Sequence, residues 1–259
     1  MSAKRNPQAA MSLSGHFREL KKRLFWSAGF ILLGTIGGWF LFDTVFAALQ
    51  APVVQLSHDS HVNATINFGT VGGAFDLRMQ ISAFIGVIIT SPLWLYQVGA
   101  FILPALKRKE RIYIFGFLGA AVPLFLGGCY LAWISLPGFV KTLIGLTPEG
   151  SANVINANEY ILFAVRILLV FGISFVLPVV LVMLNFLGLV TAKGILKGWR
   201  LATFIAAVVA ALATPTADPT SMFYLMIPLL VLYFLAAGVA ALRNRFRAKK
   251  AAQRSAELD

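Results

Sequence analysis

Charge is what this 259-residue sequence has least of: Asp, Glu, Lys and Arg supply 12% of it, and ten residues in all are acidic. Soluble domains carry about 25% charged residues. With 59% hydrophobic residues, a soluble fold of this length could not bury its apolar surface. That excludes an ordinary soluble enzyme and a disordered chain. Cysteine is almost missing; Cys129 stands alone inside an apolar run, so an intramolecular disulfide and a cysteine-based metal site are both excluded. H-E-x-x-H, G-x-S-x-G and glycine-rich phosphate loops are absent as well, which leaves no familiar hydrolytic or nucleotide chemistry. His58 and His61 in H-D-S-H have a spacing that could hold a metal, but no third histidine or cysteine lies near them. No metal and no cofactor are expected.

What the sequence has is long apolar runs, as its mean hydropathy of +0.81 implies. Five approach or exceed the roughly 20 residues a membrane-spanning helix needs: Leu24 to Phe42, Ala74 to Ala100, Ile112 to Leu136, Tyr160 to Leu189 with Pro178 inside it, and Met222 to Leu242. A further run, Leu201 to Ala213, has only 13 residues, about 20 Å of helix against a hydrocarbon core of about 30 Å. The first run is too long for the apolar stretch of a signal peptide and has no small-residue cleavage site after it. A polar segment, residues 1–23, precedes it.

The basic residues decide orientation. Nineteen of the 22 fall in the N-terminal segment, the loops between runs two and three and between four and five, and the tail; the opposite loops hold only Lys141. Arg78 and Arg166 lie within runs. This alternation works only if the short fifth run also crosses, giving six spans with both termini cytoplasmic. The net charge of +12 is then topological rather than a nucleic-acid footprint. The expected organisation is one membrane domain over residues 1–242 and a basic, disordered cytoplasmic tail over 243–259.

Acids are informative because they are few. Asp43, Asp76 and Glu159 fall at outer span ends, where solvated boundary charge is the simple reading. Asp218 stands in a tight turn beside Pro215 and Pro219. Arg166, two turns inside span four, either snorkels to the outer interface or pairs with Glu159 or Asp76. Gly34 and Gly38 form a G-x-x-x-G face for packing inside the chain or against a partner helix. On the cytoplasmic side Glu19 and Glu110 each lie within a basic run. Such a carboxylate either balances local charge or offers bidentate recognition to a guanidinium.

Five motifs occur in order. They are H-F-R-E-L-K-K-R-L at His16 to Leu24, A-P at Ala51–Pro52, and L-Y-Q-V-G-A-F-I-L-P-A-L-K-R-K-E-R at Leu95 to Arg111. F-G-I-S-F-V-L-P at Phe171 to Pro178 and T-P-T-A-D-P at Thr214 to Pro219 complete the set. Together they resemble the TatC family, the core receptor of the twin-arginine translocase, over nearly the whole chain. The resemblance implies an all-α membrane protein of six helices, the last two short, in a concave, cupped arrangement within a prokaryotic plasma membrane. It implies recognition of twin-arginine signal peptides on folded precursors, with Glu19 and Glu110 taking the arginine pair and Phe101 and Lys22 beside them. It also implies TatA- and TatB-type single-span partners, self-association in a complex, and transport driven by the proton-motive force. Pro52, Pro104, Pro178 and Asp218 match positions with structural or assembly roles.

The chain departs from the family pattern in places. Val176 stands where the family commonly has Glu or Gln, Lys21 where arginine is usual, and Gly99 where tryptophan is common. The last turn has one extra residue, with Met222 in place of a glutamine. A small-solute secondary transporter is the alternative. It would need polar residues at the midplane and paired broken helices, whereas the span centres here are almost uniformly apolar. An intramembrane enzyme would need buried nucleophilic or metal-binding residues.

Overall fold

The computed structural model describes residues 13–59, 64–102, 112–144, 153–186, 188–213 and 219–256. Their elements are α1 (Leu13–Phe40), α2 (Phe42–Asp59), β1 (Ala64–Asn67), α3 (Gly73–Ile89), α4 (Ser91–Ile102) and α5 (Ile112–Ile144), then β2 (Asn153–Asn156), α6 (Ala157–Phe186), α7 (Ala192–Lys197), α8 (Trp199–Ala213) and α9 (Pro219–Ala256). Three stretches are long and apolar enough to cross a bilayer unaided: Ile114–Lys141, Ala157–Phe186 and Met226–Phe246. Two more candidate spans are bent pairs, α1 with α2 at 78° and α3 with α4 at 61°, and Trp199–Ala211 is the short sixth. All six apolar runs of the sequence are therefore helical, in an all-α membrane protein.

The helices group into two compact units, residues 1–46 with 75–122, and 47–74 with 123–259. In the first, α1 and α3 meet on glycine. A side chain at Gly38 would lie 2.5 Å from the Ser82 carbonyl oxygen, and one at Gly86 would lie 2.6 Å from the Thr35 nitrogen. The G-x-x-x-G face thus packs inside the chain. Without water between helices, such backbone approach replaces the hydrophobic effect as the source of association. Phe25, Leu33, Ile36 and Phe40 of α1 stay exposed, as lipid-facing residues should.

The bend between α3 and α4 has a visible cause. Pro92 has no N–H to donate, and its ring crowds the carbonyl four residues back; Thr90 meanwhile turns both its N–H (3.0 Å) and its hydroxyl (2.7 Å) onto the Gly86 carbonyl. The bend between α1 and α2 has no proline. Here the Arg78 guanidinium straddles the break, 4.7 Å over the Trp39 ring and 4.9 Å over Phe42, and donates to the Trp39 carbonyl at 3.5 Å. Asp43, 4.0 Å from it, is 83% exposed.

In the second unit, buried Phe125, Leu136, Ile161, Ala164, Ile167 and Phe171 form the apolar centre of α5 and α6. The segments read as outer loops hold more structure than the sequence suggests. The chain after span one forms α2, and β1 pairs in parallel with β2, Ala64 opposite Asn153 through Asn67 opposite Asn156. Tyr160 donates its hydroxyl to the Leu49 carbonyl at 2.7 Å. Pro52 is buried inside α2 and leaves the Ala48 carbonyl without its helical donor.

The tail departs from expectation as well. α9 runs unbroken to Ala256, so residues 243–256 are helical where disorder was expected. Their Ala, Arg, Lys and Gln residues are all good helix formers, and they extend a helix already nucleated in the span.

Candidate functional site

Glu19 lies on α1 one turn before Arg23, a spacing that places two side chains on one helix face. Arg23 donates from both Nε (3.0 Å) and Nη2 (2.6 Å) to Glu19 Oε1. Its third nitrogen, Nη1, donates to Gln97 Oε1 of α4 at 3.2 Å. Both members of the ion pair are largely covered, at 24% and 18% side-chain exposure. Glu19 Oε2 is buried and accepts no hydrogen bond among the described residues. A carboxylate oxygen in that state is costly, so the group has unused capacity for a donor.

Beside the pair is a cavity of about 460 Å³ lined by Gly15, Arg18, Glu19, Lys22, Arg23, Trp26 and Gln97. Its wall is mixed: one carboxylate, three cations, an amide and an indole. A second link joins the same two helices, where the His16 ring stacks on Phe101 at 4.6 Å. Gln97 and Phe101 are one turn apart on α4, so α1 and α4 run antiparallel with these contacts on facing surfaces. Gly99 lies between them. A side chain there would meet the Phe117 ring at 2.7 Å, so Phe117 fills the space beside residue 99.

The structure thus brings Glu19 and Lys22 to one cavity and sets Phe101 against the same stretch of α1. Glu110, Pro104, Asp218 and His61 lie outside the described residues, as does the side chain of His58. Arg23, Gln97, His16 and Trp26 belong to the site but were not singled out from the sequence. The Glu19–Arg23 spacing was the available signal; the pairing with Gln97 depends on how α4 approaches. Among the described residues no group of three or more His, Cys, Asp and Glu side chains could hold a metal.

Further along, Pro178 sits inside α6 and Val176 is buried. Pro178 borders an apolar cavity of about 220 Å³ between α6, α8 and α9, with Ser174, Ala206 and Tyr233 among its neighbours. Arg166 is exposed on α6 and forms no ion pair among the described residues.

Three comparisons bear on this arrangement. The family described as Sec-independent protein translocase protein (TatC) matches residues 15–228. The TatC protein of Xylanimonas cellulosilytica is 43% identical over 235 residues, covering 91% of this chain and 85% of the relative. That of Rothia mucilaginosa is 39% identical over 249 residues, covering 96% and 85%. The crystal structure of the twin-arginine translocase receptor TatC in DDM superposes with a TM-score of 0.75 at 31% identity, over 87% of this chain and 99% of that one.

Proposed function

The chain belongs to the TatC family of Sec-independent protein translocase proteins, and from that membership we propose that it is the receptor for twin-arginine signal peptides on folded precursors. The observation that carries this is the Glu19 carboxylate. It is largely covered, bonded to a guanidinium, lines a cavity, and has one buried oxygen that accepts no hydrogen bond among the described residues. A carboxylate in such surroundings selects the planar, two-pronged guanidinium over the point charge of lysine.

In this reading Glu19 and Glu110 take the two arginines, while Phe101 and Lys22 shape the surface beside them. On the same reading both termini are cytoplasmic, which the distribution of basic residues supports, and α1's first turns lie on the side where precursors arrive. TatA- and TatB-type single-span subunits and further copies of the chain assemble with it, and the proton-motive force drives transport. Pro52, Pro104, Pro178 and Asp218 serve structure or assembly. The work is binding and assembly, with no covalent step, hence neither an enzyme nor a cofactor. Val176, apolar and buried, takes no part in proton transfer within span four.

The test is binding of a fluorescent twin-arginine peptide to the purified protein in detergent, against a twin-lysine version. Each charge-assisted pair contributes about 1.5–3 kcal/mol, so Glu19→Ala or Glu110→Ala weakens twin-arginine binding by about ten- to a hundredfold. Equal binding of both peptides by the unaltered protein would overturn the reading.

A further inference from the structure

Arg166 is a charge that the receptor site leaves unexplained. Ahead of its last residue, α6 is exposed at Glu159, Arg166, Ile173 and Leu177, with Leu162 and Leu169 half-buried among them. At 100° per residue the four exposed positions fall within about 40° of one another. Phe163, Ala164, Val165, Ile167 and Leu168 beside them are buried. A strip this narrow is a seam for one helix rather than a broad lipid-facing side. It also carries a charge at depth. The 30 residues of α6 make about 45 Å of helix, so with its middle at the centre of a core of about 30 Å, Arg166 lies about 7 Å inside the hydrocarbon. Its side chain leans toward the helix N-terminus, the Glu159 end, yet it forms no ion pair among the described residues. A leucine would meet lipid there without the cost of an intramembrane cation.

We propose that this strip seats a single-span partner helix, and that Arg166 recognises it through a carboxylate in the half of the partner's span nearest Glu159. The proposal rests on the reading above in which single-span subunits assemble with the chain. Charge complementarity fixes the partner's chemistry: an apolar helix with one acid at the depth of the guanidinium, where the low dielectric strengthens the pair. A second copy of this chain does not fit. Copies share one orientation in the membrane, so two meeting along this strip in a symmetric pair would set Arg166 against Arg166 at the same depth. The strip is also separate from Val176, which is buried and lies about 80° away around the helix.

Cysteine cross-linking in membranes tests this on the full chain. Ile173→Cys places a thiol on the strip two turns from Arg166, and Cys129 is buried. The probe is a co-expressed leucine–alanine helix of about 20 residues, oriented by lysines at one end only. It carries Glu or Gln at the depth of Arg166 and a cysteine two turns nearer its centre. The Glu helix is expected to cross-link about three- to thirtyfold more than the Gln helix, the range of polar contacts between membrane helices. Moving the Glu to the opposite end of the helix removes the advantage, and so does Arg166→Leu. Arg166→Glu reverses the preference toward a helix with Lys in place of Glu, which a variant that merely failed to fold would not do. Equal cross-linking of the Glu and Gln helices, or an advantage that survives Arg166→Leu, would overturn the proposal. Equal cross-linking, with Arg166→Leu less heat-stable in phospholipid nanodiscs but not in maltoside detergent, would assign the arginine to lipid phosphate instead. Cross-linking mainly between two copies would make the strip a self-contact and overturn it as well. Twin-arginine peptide binding by the same proteins separates the two readings. If the unaltered chain does not prefer that peptide to the twin-lysine one, the receptor reading falls; if it does while the Glu helix has no advantage, only the Arg166 partner falls.

Discussion

Two arginines near helix ends show how the same side chain can serve opposite purposes. Arg243 of α9 donates to the Asn185 carbonyl at 2.6 Å, to Asn185 Oδ1 at 2.9 Å and to the Phe186 carbonyl at 3.2 Å. Its guanidinium also lies 3.8 Å over the Phe186 ring. These acceptors are the last turn of α6, whose carbonyls have no further helix to bond. Asn185 is itself buried and donates to the Val190 carbonyl at 2.8 Å, across the turn that Gly188 makes at φ +75°. Tyr233 ties α9 to the Ile195 carbonyl of α7 nearby. The three acceptors named here are neutral, and two of them are backbone carbonyls. Arg23, by contrast, faces a carboxylate whose second oxygen accepts no hydrogen bond among the described residues. Fixed backbone acceptors make an anchor; a side-chain carboxylate at the wall of a cavity makes a contact between two charged side chains.

The contrast can be broken by measurement. Arg243→Ala is expected to have the largest effect on stability, about 1.5–3 kcal/mol, because it removes charge-assisted hydrogen bonds at the end of α6, one of them to the side chain of buried Asn185. Thermal unfolding in detergent reads it, and the peptide preference at Glu19 stays unchanged. Phe186→Leu keeps the bonds and removes the ring, for a loss of about 0.5–1 kcal/mol in the same assay. Arg23→Gln is expected to cost least, about 0.5 kcal/mol. A loss as large as that of Arg243→Ala would make Arg23 an anchor too, and the contrast would fail.

The spans were legible because twenty apolar residues admit few alternatives in a bilayer, and the short fifth because basic residues must alternate sides. Pro92 marks the α3–α4 bend in the sequence. The α1–α2 bend is not marked, since its clasp, Arg78, comes from a different element. Glu19 could be picked out as a rare acid in a basic run, but its partners could not all be. Arg23 was hidden in plain view by being one cation among several, and Gln97 required knowing that α4 doubles back on α1. The strands escaped notice because A-T-I-N and N-V-I-N are each four residues long, too short for an alternating pattern to register. Their partners are also remote in sequence. The helical tail was misjudged because its composition suits a solvated coil and a continued helix equally.

That pair of strands settles a question of parity. Two hydrogen-bonded strands occupy one side of a bilayer, so the chain leading from Asn67 to Asn153 must cross an even number of times. Between them lie α5, which crosses once, and the bent pair α3 and α4. Were the bent pair a hairpin dipping in and returning to its own side, the tally would be odd and β1 could not reach β2. Four residues of sheet therefore require the broken helix to pass right through, independently of where any lysine or arginine lies.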